Sequence, residues 1–251
     1  PVAKNEFEKI LKAEVKKLLP RPIEEMTLDY QILPGAEGDK AQRVLINAVA
    51  RDVVVFYTQI FQKAGITLDA LESESTALER ALIGRDQNLA MIVDMGAEHT
   101  NFFIIDGGAA ITHNSVEIGG DRVDKMLSEA FGIDLDLVGR FKQDWFEKLL
   151  TYKNSVTKEE FLAFLRPIVE PIVKEIEYSF DLYLRQSGNI GKRPEKVVLT
   201  GGAAFFPFLA EYIADKFNLK CYVGDPWGRI VYQDGLKTTL HAIGPRMSVA
   251  I

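Results

Sequence analysis

Cysteine is nearly absent: Cys221 is the sole one in 251 residues. No disulfide can form within the chain, which suits a reducing compartment, and Cys221 reads as the core residue of a strand. Histidine is scarce as well. His99, His113 and His241 stand far apart, and no His-Glu-x-x-His or paired-cysteine spacing offers a zinc site. No apolar run approaches the roughly 20 residues that cross a bilayer, and no signal-peptide pattern precedes Asn5, so the chain is expected to be neither inserted nor exported. Basic charge is thin, with 30 Lys and Arg against 36 Asp and Glu and a net charge of -6. The densest basic stretch, Lys12 to Lys17, is short, and nucleic acid is not an expected partner. Several catalytic signatures are missing too. There is no Gly-x-Ser-x-Gly elbow, and Gly188 to Lys192 lacks the length and the Ser or Thr of a P-loop. Asp134 to Gly139 begins like a calcium loop, but Val138 and Trp145 occupy positions that require oxygen ligands.

With 47% hydrophobic and 26% charged residues, the composition is that of a globular protein with real cores. The chain is organised around Leu89 to Gly108. Leu89 to Val93 is an apolar run that ends in Asp94, a carboxylate where a buried strand emerges, and Gly96 follows at the turn. A glycine there lets backbone N–H groups approach phosphate oxygens, and the aspartate can hold a water on magnesium, an ion that keeps most of its hydration. Taken alone, the stretch also reads as an ordinary hairpin between two core strands. A second stretch shifts that balance, because Lys196 to Thr200 is another short buried strand running into Gly201, Gly202, Ala203 and Ala204, with a helix starting near Pro207. Ile118-Gly119-Gly120-Asp121 opens a further helix between them, Asp121 serving as its N-cap.

Periodicity predicts the remaining elements. Residues 5 to 18 form an amphipathic helix, with Asn5 and Glu8 at capping-box spacing and Phe7, Ile10, Leu11, Val15, Leu18 and Leu19 on its apolar face. Met26 to Leu33 and Arg43 to Arg51 are strands joined by a polar loop from Pro34 to Lys40. Asp52 to Lys63 is a helix capped by Gly65, and Ile66 to Leu71 returns as a strand. After a helix from Ser73 to Leu82 come three strands, Ala90 to Asp94, Thr100 to Ile105 and Ala110 to Glu117, the last two joined at Asp106-Gly107-Gly108. Helices dominate from Gly120 to Ser187. There Thr157 and Glu160 form a capping box, and Phe161, Phe164, Leu165, Ile168, Ile172, Ile176, Phe180 and Leu184 form a core stripe. Lys196, the helix from Phe208 to Phe217, and the strand from Lys220 to Val223 make a βαβ crossover.

Paired strand-then-glycine turns flanking a helical region, with Gly119-Gly120 between them, resemble the nucleotide site of the actin-like ATPase superfamily. Within it the chain resembles the PilM family of type IV pilus assembly, through Ala64-Gly65-Ile66, the helix from Glu74 to Leu82, and Pro245 to Ile251. The resemblance covers nearly the whole chain. It implies an α/β, ribonuclease H-like fold, with an inserted α+β subdomain at residues 1–72, a nucleotide-binding domain at 73–251 and a helical subdomain at about 122–194. It also implies ATP and magnesium as cofactors. Asp94 would act on magnesium through water, Gly96 and Ala97 would lie at the phosphates, Thr100 would sit at the second strand's start among the cofactor-binding residues, Gly119 and Gly120 beside the cleft, and Gly201, Gly202 and Ala203 against the nucleoside. Lys142 would be kept from the family's Ala-Glu-x-x-Lys helix, read here as Val138-Gly139-Arg140-Phe141-Lys142 with glycine where the glutamate would be. The family's earlier phosphate hairpin has no match in Pro1 to Lys17, and relatives continue beyond Ile251. The expectation is therefore of a chain lacking the N-terminal phosphate-binding subdomain and both ends. The implied function is a cytoplasmic scaffold at the inner face of the inner membrane, holding the N-terminal peptide of a PilN-like inner-membrane protein, with a pilus ATPase as a further partner. Two alternatives are a nucleotide-hydrolysing or phosphoryl-transfer enzyme of the same superfamily and an FtsA-like division protein.

Overall fold

The computed structural model describes residues 4–33, 43–86, 88–139, 157–186 and 188–251. The chain divides into two compact units, Pro1–Ser73 and Glu74–Ile251.

In the first unit, α1 (Lys4–Lys16) precedes an antiparallel pair, β1 (Met26–Ile32) and β2 (Val44–Ala50), and then α2 (Arg51–Ala64). Two sequence expectations change here. Helix α1 already includes Lys4, so Asn5 lies inside it rather than at an N-cap. Ile66 to Leu71 is not a strand. The reason is local: Gly65, at φ 69°, donates its N–H to Gln62 O, and Ile66 donates to Phe61 O. That bond pattern is a Schellman cap, so Ile66 completes the helix end instead of opening a ladder. The loop expected at Pro34 to Lys40 lies outside the described residues.

The second unit is built on a five-stranded sheet of β3 (Ala90–Met95), β4 (Thr100–Asp106), β5 (Ala109–Val116), β6 (Lys196–Thr200) and β7 (Lys220–Val223). Its order is β5-β4-β3-β6-β7, antiparallel from β3 through β5 and parallel from β3 through β7. The β4–β5 turn is the two-residue loop Gly107-Gly108, both at positive φ, which is the geometry that matches strand twist in a hairpin.

Every residue of β3 is buried, so apolar content cannot show which way each side chain faces, but the period of two can. Met91, Val93 and Met95 enter a large core with Phe102, Ile104, Val197 and Leu199. This core is closed by α4 (Gly120–Phe131), α5 (Lys158–Phe164), α6 (Arg166–Arg185) and α7 (Leu209–Phe217). The predicted stripe supplies the buried Phe161, Leu165, Ile168, Ile172 and Ile176, and Thr157 and Glu160 form the expected capping box. Ala90 and Ile92 face the other side with Leu78, Ile83, Phe103, Ile105 and Val198. Each fully buried Ile, Leu or Phe there contributes about 1.5–3 kcal/mol. Cys221, half-buried against the large core, has its thiol pushed up to about 12 by burial.

Leu78 belongs to a helix that changes pitch. The segment starts as α3 (Glu74–Leu78) and widens into a π-turn over Glu79–Ile83, closed by Gly84 N–H donating to Glu79 O at 2.8 Å. The Arg229 guanidinium caps it, donating to Arg80 O at 2.9 Å and to Ile83 O. Gly84 favours glycine because its φ is 58°, and a methyl group there would displace that guanidinium from its cap.

Candidate functional site

The alternation along β3 puts Asp94 on the same face as Ala90 and Ile92, the face covered by α3. Asp94 is 9% exposed, and its carboxyl is hydrogen-bonded to Glu74 at the start of α3. Burial first, then that hydrogen bond and the charge of Glu74, push Asp94 from its ordinary 3.8 up to about 7. A carboxylic acid can donate to a carboxylate, which is why two acidic groups tolerate contact here. Glu74 is in turn held by Asn101, whose Nδ2 donates to Oε2 at 3.3 Å, and Asn101 is the direct β4 partner of Asp94. Sequence reasoning missed Glu74 as a site residue. A period of two counted along β3 from Asp94 would have aimed the search at the preceding helix.

Three glycine turns converge on this carboxyl. In the β3–β4 turn, Gly96 N–H donates to His99 O at 2.9 Å, while the N–H groups of Ala97 and Glu98 have no partner among the described residues. The carbonyls of Gly96 and Ala97 are used: they accept the N–H groups of Gly120 and Asp121, both at 2.9 Å. Two orphan donors at the start of α4 are thereby satisfied by a neighbouring loop. This corrects the reading of Asp121 as N-cap, because Gly119 holds that position and the loop carbonyls do the work of a capping side chain. A methyl group at Gly119 would sit 2.3 Å from Ala97 O, so only glycine allows the approach, whereas one at Gly120 would sit 3.7 Å from Gly96 O, an ordinary contact.

The third turn follows β6. Gly201, at φ 86°, lies against the end of β3, where a methyl group would meet Met95 O at 2.4 Å and Asp94 Oδ1 at 2.6 Å. Its N–H donates to Pro245 O at 2.9 Å, and Ala203 N–H donates to Met95 O at 3.1 Å. Ala203 is buried in the large core, while Gly202 is exposed. Thr100 begins β4, as expected. It is fully buried, and its hydroxyl donates to Ile118 O at 2.6 Å, so it holds the turn that carries Gly119. Lys142 lies outside the described residues. Asp94, Gly96, Ala97, Gly119, Gly120, Gly201, Gly202 and Ala203 are thus brought to one end of the sheet by three separate loops.

That end offers a carboxyl pair, free N–H groups at a tight turn and a bare glycine surface. Among the described residues, no cluster of three or more His, Cys, Asp or Glu side chains is placed to hold a metal by itself.

Sheet order and strand directions define the class by fold: a mixed-sheet α/β, actin-like fold of the ribonuclease H-like kind. Within that class the chain belongs to the family described as Type IV pilus assembly protein PilM, whose profile matches residues 2–251. Among solved structures it is similar to the PilM-PilN type IV pilus biogenesis complex, at 20% identity and a TM-score of 0.74, over 100% of this chain and 71% of that one. It is also similar to the ethanolamine utilization protein EutJ from Carboxydothermus hydrogenoformans, at 17% identity and a TM-score of 0.49, over 76% of this chain and 57% of that one. A further likeness is to MreB 5 of Spiroplasma citri bound to AMPPNP, at 14% identity and a TM-score of 0.46, over 70% and 60% of the two chains. Among the described residues, no helix is long and apolar enough to cross a membrane.

Proposed function

We propose that the chain is a nucleotide-binding scaffold of type IV pilus assembly. It takes ATP with magnesium at the Asp94 end of the sheet, captures the N-terminal peptide of a PilN-like protein, and works at the cytoplasmic face of the inner membrane through its partners, a pilus ATPase among them. The observation that carries this reading is the convergence, in a chain of this family, of three glycine turns on one buried carboxyl. Asp94 would hold magnesium through water, and Ala97 and Glu98 would donate their N–H groups to phosphate oxygens. Gly201 and Gly202 leave room for the nucleoside. Magnesium, when bound, would neutralise phosphate charge.

Titration with ATP, with and without magnesium, tests the site. Asp94→Ala is expected to weaken the magnesium complex more than the metal-free one, and equal loss in both would remove the proposed role. Fluorescence anisotropy with a peptide from the N-terminal tail of a PilN-like protein tests the scaffold. Saturable binding supports it, and no binding would count against it. Glu74, exposed beside Asp94, supports a second reading, slow hydrolysis with that carboxylate orienting water. Phosphate release that is lost in Glu74→Gln while ATP still binds would favour it.

A further inference from the structure

Arg246 stands beside the third glycine turn, and the reading above gives it no task. It lies in the last turn of α8 (Lys237–Met247), where a cation is favourable against the helix dipole, and that alone would explain it. Its placement says more. Pro245 O accepts the Gly201 N–H, and the Thr200 hydroxyl lies 3.1 Å from Pro245 O and 2.6 Å from Ser248 Oγ. Thr200 and Ser248 are buried, so the end of α8 is locked in register to the end of β6. Because residue 245 is fixed against residue 201, residue 246 is fixed against residue 202. A methyl group at Gly202 would lie 3.8 Å from both Cγ and Nε of Arg246, so the arginine stem runs alongside the bare glycine. Both residues are exposed, and among the described residues the guanidinium has no hydrogen-bond or ion-pair partner.

The donors of this turn show which part of a nucleotide it suits. Gly201 and Ala203 have both given their N–H groups to protein carbonyls, so among the described residues Gly202 alone keeps a donor here, against two adjacent ones at Ala97 and Glu98 across the site. What remains is a flat, side-chain-free patch at Gly202 beside a planar cation. A guanidinium plane next to a bare backbone fits the face of an aromatic ring. Resting on the nucleotide-site reading above, we propose that Arg246 stacks on the purine base of the bound nucleotide and is a specificity-determining contact on its nucleoside side.

The test is equilibrium binding of ATP to the protein and to two variants, with circular dichroism confirming that each folds. Arg246→Ala is expected to weaken ATP about ten-fold, in keeping with stacking by an arginine. Arg246→Lys keeps the charge and the helix-dipole contact but not the plane, and is expected to leave most of that loss in place. The loss should also persist at about 0.5 M salt, where a charge–phosphate contact is screened. Full rescue by lysine, or disappearance of the loss in salt, would overturn stacking in favour of a phosphate contact. Unchanged affinity in Arg246→Ala would overturn any ligand role. If the unsubstituted protein binds no nucleotide, the site reading itself falls and this contact falls with it.

Discussion

Replacing Asp94 by asparagine gives a direct measure of the carboxyl pair. The Asp94 carboxyl moves from its ordinary 3.8 to about 7 on folding, so between those values the folded state holds a proton that the unfolded state has released. Stability then falls as pH rises, since the folded state binds more protons across that window. The contribution is complete below 3.8 and lost above about 7. At about 1.4 kcal/mol per pH unit, the ceiling is about 4 kcal/mol. Glu74 is exposed and can swing toward water once both groups are charged, which brings the expected effect to about 2 kcal/mol. Asparagine keeps the shape, offers its amide to Glu74 and never ionises. Asp94→Asn should therefore gain on the unsubstituted protein steadily as pH rises from about 4, and by about pH 8 the gain should reach about 4–8 °C in melting temperature. Thermal unfolding at several pH values in metal-free buffer measures this, and subtracting the two profiles removes the contributions of other carboxyls such as Glu79. A difference that stays constant from pH 5 to pH 8 would show that Asp94 does not carry the proton assigned to it.

Two contrasts test the turns and the helix end. Gly201→Ala places a methyl group 2.4 Å from Met95 O at φ 86° and should destabilise by about 2–4 kcal/mol in urea unfolding, while Gly120→Ala should be within about 0.5 kcal/mol of neutral. Equal effects from the two would mean that the close approach at β3 is not maintained in solution. Arg229→Ala removes two charged donors from the carbonyls closing the π-turn and should cost about 1–2 kcal/mol, with little recovery in Arg229→Lys, because one ammonium cannot reproduce the fork. Chemical denaturation of the two variants decides it, and full recovery with lysine would reduce the contact to simple charge.

The sequence by itself determined the strands on either side of the site, the glycine turns that end them, the capping box at Thr157 and the helical stripe from Phe161. These depend on local period and on backbone conformations that few residues adopt, and both can be read from neighbouring positions. Other features were decided only by the tertiary structure. Ile66 to Leu71 has the composition of a strand, but the Gly65 cap takes the Ile66 N–H. Asp121 has the side chain of an N-cap, but the carbonyls of Gly96 and Ala97, more than twenty positions away, reach α4 first. Thr100 was legible as the start of a strand, but that its hydroxyl reaches Ile118 O was not. Glu74 and Arg246 lie in stretches that carry the family resemblance, but nothing in those stretches gave either residue a task. Glu74 meets Asp94 because α3 covers one face of β3, and Arg246 meets Gly202 because a buried triangle of Thr200, Pro245 and Ser248 locks two distant segments in register. A hydrogen-bonding group satisfies whichever partner the fold brings within about 3 Å, and that partner is set by packing rather than by proximity in the chain.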